Sequence, residues 1–322
     1  MRIVTFRELP LGWEAHSVLL THNAFGSSWD PYEIGTPRFD RQYPRHADYV
    51  GLCAVERERI VSSVVVHRFP FRTRERNCIC SGLGAVATLP AFTRRGLARR
   101  LIEEVHRRER ESGSPFVLLY TGRSIVAHAL YESLGYRDVL LFPRAVRWVP
   151  KHKRTLPRGW RWRRATLDDR QAIEELRKDL GRARLGFTRE GVEWWPGPEK
   201  WFASGPESWF VLERDRSICA YANLRTEGQL RACHEGMART TLARRYLLSS
   251  LESEASGGWL LLGSPLIYEL RQAPGIRAYI LAQGSHSVLM AKSLDGFLRP
   301  SDLAHELGTD RPDFLIGVAD SF

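Results

Sequence analysis

Arg94, Arg95 and Arg99 surround a glycine, Gly96, and a small residue, Ala98, where a β-branched run gives way to a helical pattern. That run is the end of a strand over about 79–88, closing on Val86-Ala87-Thr88 with two β-branched residues of the three; the helical pattern places Leu97, Leu101, Ile102 and Val105 on one stripe. A strand, a short basic loop and a helix opening at a glycine turn several backbone N–H groups toward one point. The positive end of the helix adds to them. Gly96 and Ala98 leave the backbone bare enough for a pyrophosphate to approach, and the three arginines can neutralise its charge. The plainer alternative is an ordinary strand-to-helix loop with arginines on its surface.

No competing chemistry is as well supported. The five cysteines are an odd number, and Cys78 and Cys80 stand too close in sequence for the usual zinc pair. Cys53, Cys78, Cys80, Cys219 and Cys233 read as small apolar strand residues of a reducing compartment, with no metal site. Lys and Arg total 48 against 37 Asp and Glu, a net charge of +11. The basic residues are scattered rather than interleaved with aromatics, which argues against nucleic-acid binding. No apolar run nears the ~20 residues that a bilayer span requires, and the first eight residues alternate like a strand rather than a signal peptide. A cytoplasmic location follows as an expectation. Oligomeric state is not written in any of these features.

The loop must sit on a scaffold, and 322 residues suggest two domains. Residues 49–55, 60–69 and 79–88 read as antiparallel strands joined by the Glu56–Arg59 turn and a polar loop. The helix from Leu97 ends at Ser112-Gly113-Ser114-Pro115, a buried strand follows over 116–120, and a second helix over 124–134 closes at Gly135. Residues 139–149 provide terminal strand material. The polar, basic stretch 151–159 reads as a linker. Beyond it the same order restarts: a strand at 160–165, a Thr166-capped helix through Leu180, strands near 208–213, 217–224 and 228–236, a helix at 240–253 and a strand at 258–262. The expected fold is mixed α/β, each half a mostly antiparallel sheet with flanking helices. The expected division is 1–150, a linker at 151–159, and 160–322.

Thr93-Arg94-Arg95-Gly96-Leu97-Ala98 resembles the Gln/Arg-x-x-Gly-x-Gly/Ala motif of the GCN5-related N-acetyltransferases, the GNAT family, with Thr93 departing at the first position. Downstream, Tyr131-Glu132-Ser133-Leu134-Gly135-Tyr136 is similar to the family's Tyr-x-x-x-Gly-aromatic helix end. The two landmarks stand in the family's order, and the resemblance covers about 50–150. It implies acetyl transfer from acetyl-CoA to an amine. Val86, Ala87 and Thr88 match the strand that pairs with the pantetheine arm. Arg94, Arg95, Gly96, Leu97, Ala98 and Arg99 match the pyrophosphate loop. Ser124 stands where many members carry an asparagine at the cofactor. Tyr131 matches the general acid that protonates the departing thiolate, a role suited to a phenol with a pKa near ~10.

The second half resembles a degenerate copy, since His234 to Ala243 lack the Arg-x-x-Gly-x-Ala spacing. It is expected to bind no cofactor, and Trp194, Trp195, Trp201 and Trp209 are expected in its core. The general base is left open among Asp48, Glu56, Glu58, His67, His128, Glu235 and the carboxylate of Phe322. The last comes from a similarity of layout to the enhanced-intracellular-survival type of acetyltransferase. The functional expectation is an acetyl-CoA-dependent N-acetyltransferase. The rivals are a non-catalytic acetyl-CoA-binding regulator and an RNA-binding or RNA-modifying acetyltransferase.

Overall fold

The computed structural model describes residues 1–10, 49–142, 144–151, 155–182, 184–187, 208–263, 275–282, 287–296 and 299–311, with isolated positions at 13, 16, 20, 24, 266, 267, 270 and 314. Two mixed sheets carry the chain. The first takes β1 (Arg2–Thr5), β2 (Tyr49–Glu56), β3 (Arg59–Arg72), β4 (Asn77–Thr88), β5 (Phe116–Thr121) and β6 (Arg137–Leu141). The second takes β7 (Arg144–Val149), β8 (Trp160–Arg164), β10 (Trp209–Arg214), β11 (Ser217–Glu227), β12 (Leu230–Ala238), β13 (Gly258–Leu262) and β14 (Ile280–Ala282). Their hairpins form where expected because β-branched and aromatic runs are separated by turn residues, as at Arg57 and Glu58, both with positive φ.

Among the described residues the α-helices are α1 (Leu97–Glu111), α2 (Val126–Ser133), α3 (Arg170–Gly181), α4 (Thr241–Glu254) and α5 (Pro300–Leu307). α1 and α2 bury Leu97, Leu101, Ile102, Val105, Tyr131 and Leu134 against one face of the first sheet. The expected cap at Thr166 is a box: Thr166 N–H donates to the Asp169 carboxylate at 2.7 Å, ahead of a short 3-10 turn and α3.

Sheet membership cuts across the expected division at 151–159. The stretch read as one terminal strand, 139–149, is two strands in different sheets. β6 stays in the first, while β7 lies in the second between β14 and β13. Reciprocally, β15 (Val288–Ser293) inserts between β5 and β6, antiparallel to both. A two-residue strand, β9 (Gly186–Phe187), pairs with β3, and α5 packs Leu303 and Leu307 on the second face of the first sheet with Phe69, Phe71 and Phe116. Each sheet therefore holds a strand from the other half of the chain.

Candidate active site

The parallel strands β4 and β5 pair over a short stretch, Ser81 to Leu83 against Val117 to Leu119. β4 runs on to Thr88 and β5 to Thr121, so the sheet opens into a fork beyond Leu83. A bulge marks the same place. Ser63 opposes Ala87 and Val65 opposes Gly84, which leaves Ala85 and Val86 facing the single residue Val64. Ala85 takes φ +47°, an uncommon conformation for a residue with a Cβ. Ser62 pins the far side of the bulge: its Oγ donates to the Ala87 carbonyl at 2.9 Å and lies 2.8 Å from Thr88 Oγ1. Of the three strand residues singled out, Ala87 is buried, and Val86 and Thr88 are partly open.

β4 leads through a short 3-10 turn at Pro90–Phe92 into the basic loop. Arg94 has φ +59° and Gly96 φ +71°, and Gly96 is the residue that opens α1. No side chain caps this helix and no acidic residue stands in its first turn. The first helical bond runs from Arg100 N–H to the Gly96 carbonyl at 3.1 Å, so the N–H groups of Leu97, Ala98 and Arg99 have no partner within the helix. A Cβ built on Gly96 would meet nothing within 4 Å. An anion could therefore sit against this backbone.

The basic side chains divide into three roles. Arg95 is paired with Glu56 at 2.9 Å and lies over the Phe92 ring. Arg99 donates to Ser133 Oγ at 2.6 Å, tying the first turn of α1 to α2. Arg94 is exposed and has no partner among the described residues. The Leu97 side chain lies in the core, leaving its N–H as its contribution, and Ala98 is half-buried. Ser124 is exposed in the turn before α2.

Tyr131 lies in the same apolar cluster as Leu83, Leu97 and Leu101, against which Val86, Leu89 and Phe92 pack. It is 7% exposed, and burial pushes its phenol up to about 12. Its local sequence forms a Schellman turn. Tyr136 N–H donates to the Tyr131 carbonyl at 3.1 Å and Gly135 N–H to the Glu132 carbonyl at 3.0 Å. Gly135 takes φ +91°, and the Tyr136 ring stands edge-on to Tyr131. The Tyr-x-x-x-Gly-Tyr spacing is the sequence trace of that turn.

Three of the candidate bases, Glu56, His128 and Glu235, are engaged elsewhere. Glu56 is held by Arg95. His128 has its Nε2 2.8 Å from Asp138 and its Nδ1 3.5 Å from Glu132, a staple between α2 and β6 with no nitrogen left for substrate. Glu235 is buried in the second half, accepting from Tyr221 Oη at 2.8 Å and pairing with Arg177 at 3.1 Å. Glu58 is an exposed turn residue. Asp48, Phe322 and the His67 side chain lie outside the described residues, as do Trp194, Trp195 and Trp201; Trp209 is in the core.

The second sheet repeats the parallel pair, β12 with β13, and α4 follows β12 as α1 follows β4. Here the helix caps itself: Thr240 Oγ1 accepts from Ala243 N–H at 3.1 Å. The donors that α1 leaves open are partly consumed in α4.

Residues 15–139 match the family model described as an acetyltransferase (GNAT) domain. No curated protein matches by sequence. Among solved structures, a probable N-acyltransferase from Enterococcus faecalis superposes with TM-score 0.69 at 16% identity, over 91% of this chain and 72% of that one. A GCN5-related N-acetyltransferase from Kribbella flavida gives 0.67 at 17%, over 91% and 71%. Eis1 from Mycobacterium abscessus gives 0.62 at 16%, over 92% and 74%. At these identities the likeness is one of fold.

Proposed function

We propose, from the match of residues 15–139 to the family model of an acetyltransferase (GNAT) domain, that the protein transfers an acetyl group from acetyl-CoA to an amine. One observation carries the reading. An uncapped helix N-terminus with open space over Gly96 stands at the end of a strand that parts from its parallel neighbour. The N–H groups of Leu97, Ala98 and Arg99 and the Arg94 side chain, which has no partner among the described residues, take the pyrophosphate. The backbone of Val86, Ala87 and Thr88 lines the fork for the pantetheine arm, and donors at the bulge face the carbonyl oxygen as charge develops there. Acetyl-CoA supplies the activated thioester. Tyr131, protonated because burial holds its pKa near 12, donates its proton to the departing sulfur. Ser124, exposed in the turn that follows β5, contacts the cofactor in this reading.

In the same reading 1–150, 151–159 and 160–322 give the order of two GNAT-like units along the chain, with β7 and β15 exchanged between their sheets and the phosphate loop of the second lost to the Thr240 cap. A cytoplasmic location fits the five unbonded cysteines, and among the described residues no helix is long and apolar enough to cross a membrane.

The test is calorimetry with acetyl-CoA followed by thiol release on a panel of amines. One site per chain and a Tyr131→Phe variant slowed ~10²–10⁴-fold with affinity nearly unchanged are expected. Two equal sites, or no acetyl-CoA binding, overturn the reading.

A further inference from the structure

The hydroxyl of Tyr131 is placed by a helix of 8 residues, and the end of that helix is held by the far end of the chain. Lys292, on β15, donates from Nζ at 2.6 Å to the carbonyl of Leu134, the residue that closes α2. An ammonium there also complements the negative end of the helix. The same Nζ lies 3.3 Å from His106 Nδ1 on α1. His106 Nε2 lies 2.8 Å from Tyr136 Oη, and the Tyr136 ring stands edge-on to Tyr131 with centroids 5.9 Å apart.

Donor accounting sets the protons. An ammonium has donors alone, so His106 Nδ1 accepts; the neutral imidazole then carries its proton on Nε2 and donates to Tyr136 Oη. Burial first, then the charges of Lys292 and Arg110, lowers the His106 pKa to about 3, so the ring stays neutral. The charged groups facing Lys292 are Arg110 and Glu103, both on α1, and burial lowers the lysine's own pKa. Tyr136 is fully buried, which leaves this chain of contacts sealed from solvent at that end.

We propose that Lys292 is a positioning residue for acyl transfer. Supplied by the C-terminal half, it ties the end of the Tyr131 helix to α1 and holds the His106–Tyr136 pair against the Tyr131 ring. The contribution of the C-terminal half to the reaction is then a strand and its lysine, rather than a second cofactor site. The proposal rests on the reading of Tyr131 as the acid.

The test is a double-mutant cycle in the full chain with steady-state kinetics on an amine found by the panel. Lys292→Met lowers kcat about 10–100-fold, the scale of a small misplacement of a reacting group, while KM for acetyl-CoA stays within about threefold. Lys292→Arg keeps the charge and recovers most of the loss. In a Tyr131→Phe background, Lys292→Met costs no more than about twofold, because the group it positions is gone. Full multiplication of the two losses, or a change confined to KM, overturns the proposal. Nitrogen NMR of His106 provides a readout independent of turnover: the Nε2–H tautomer in the parent protein, altered in Lys292→Met. If Tyr131→Phe turns over normally, the acid reading fails by itself, and an unchanged His106 signal in Lys292→Met overturns the lysine link separately. Should Lys292→Met not fold, His106→Asn, which breaks the link with the lysine in place, carries the same cycle.

Discussion

Cutting the chain at the linker should destroy the first sheet rather than liberate it. A fragment of residues 1–159 keeps both sequence landmarks and nearly all the residues placed at the candidate site. It loses β15, whose Val288, Leu289, Met290 and Ala291 are all fully buried. Each large apolar side chain is worth about 1.5–3 kcal/mol buried, so the first three together are worth roughly 5–9 kcal/mol. The ladders of β15 to β5 and to β6 go with them, from Val288↔Thr121 to Ser293↔Phe116 on one side. A whole domain has a net stability of ~5–15 kcal/mol, so the deficit is of the same size as the total. Meanwhile β7, which belongs to the second sheet, is left without one. The fragment should show no cooperative urea transition and no acetyl-CoA binding by calorimetry. Co-expression with 160–322 should restore both, since each fragment carries a strand the other requires. A soluble 1–159 that unfolds cooperatively and binds acetyl-CoA would refute the claim that the exchanged strands carry the fold.

Gly96→Glu should abolish acetyl-CoA binding by calorimetry. The left-handed φ costs about 1–2 kcal/mol of stability for an L-residue, and the open space above Gly96 predicts no larger loss in melting experiments. Thr240→Ala should cost ~1 kcal/mol in urea denaturation, the usual price of an N-cap, and leave the acetyl-CoA stoichiometry at one. His106 is held neutral, its pKa lowered from 6.5 to about 3 chiefly by burial. Its contribution is fully present above pH 6.5 and is lost as pH falls toward 3, where the unfolded chain binds the extra proton. Urea midpoints should therefore drop between pH 7.5 and 5, and His106→Gln should flatten that drop. Asp169 behaves likewise at lower pH: Arg163 hydrogen bonds hold its carboxyl near 2, so its contribution fades from about pH 4 downward, and Asp169→Asn should unfold at an acid midpoint less dependent on pH.

The site was legible in sequence wherever its function lies in backbone conformation set by neighbouring residues. Glycine at 96 suits a φ of +71°, which costs an L-residue about 1–2 kcal/mol, and the Tyr131-to-Tyr136 spacing is fixed by a turn whose hydrogen bonds span that many residues. The roles of individual arginines were not legible, since Arg95 and Arg99 are spent on Glu56 and Ser133 by tertiary proximity alone. Two of the base candidates were illegible for the same reason: His128 and Glu235 look available in a string of letters and are each held by charged partners in space. Local hydrogen bonding and side-chain periodicity thus determined the strands and helices up to Leu262 and the Schellman turn from the sequence by itself, whereas β9, β14, β15 and α5 were not marked by it. Which sheet each strand joined was decided only in the tertiary structure. Val288-Leu289-Met290-Ala291 is an apolar run that would suit either sheet, and its place between β5 and β6 depends on edges supplied by residues more than a hundred positions away.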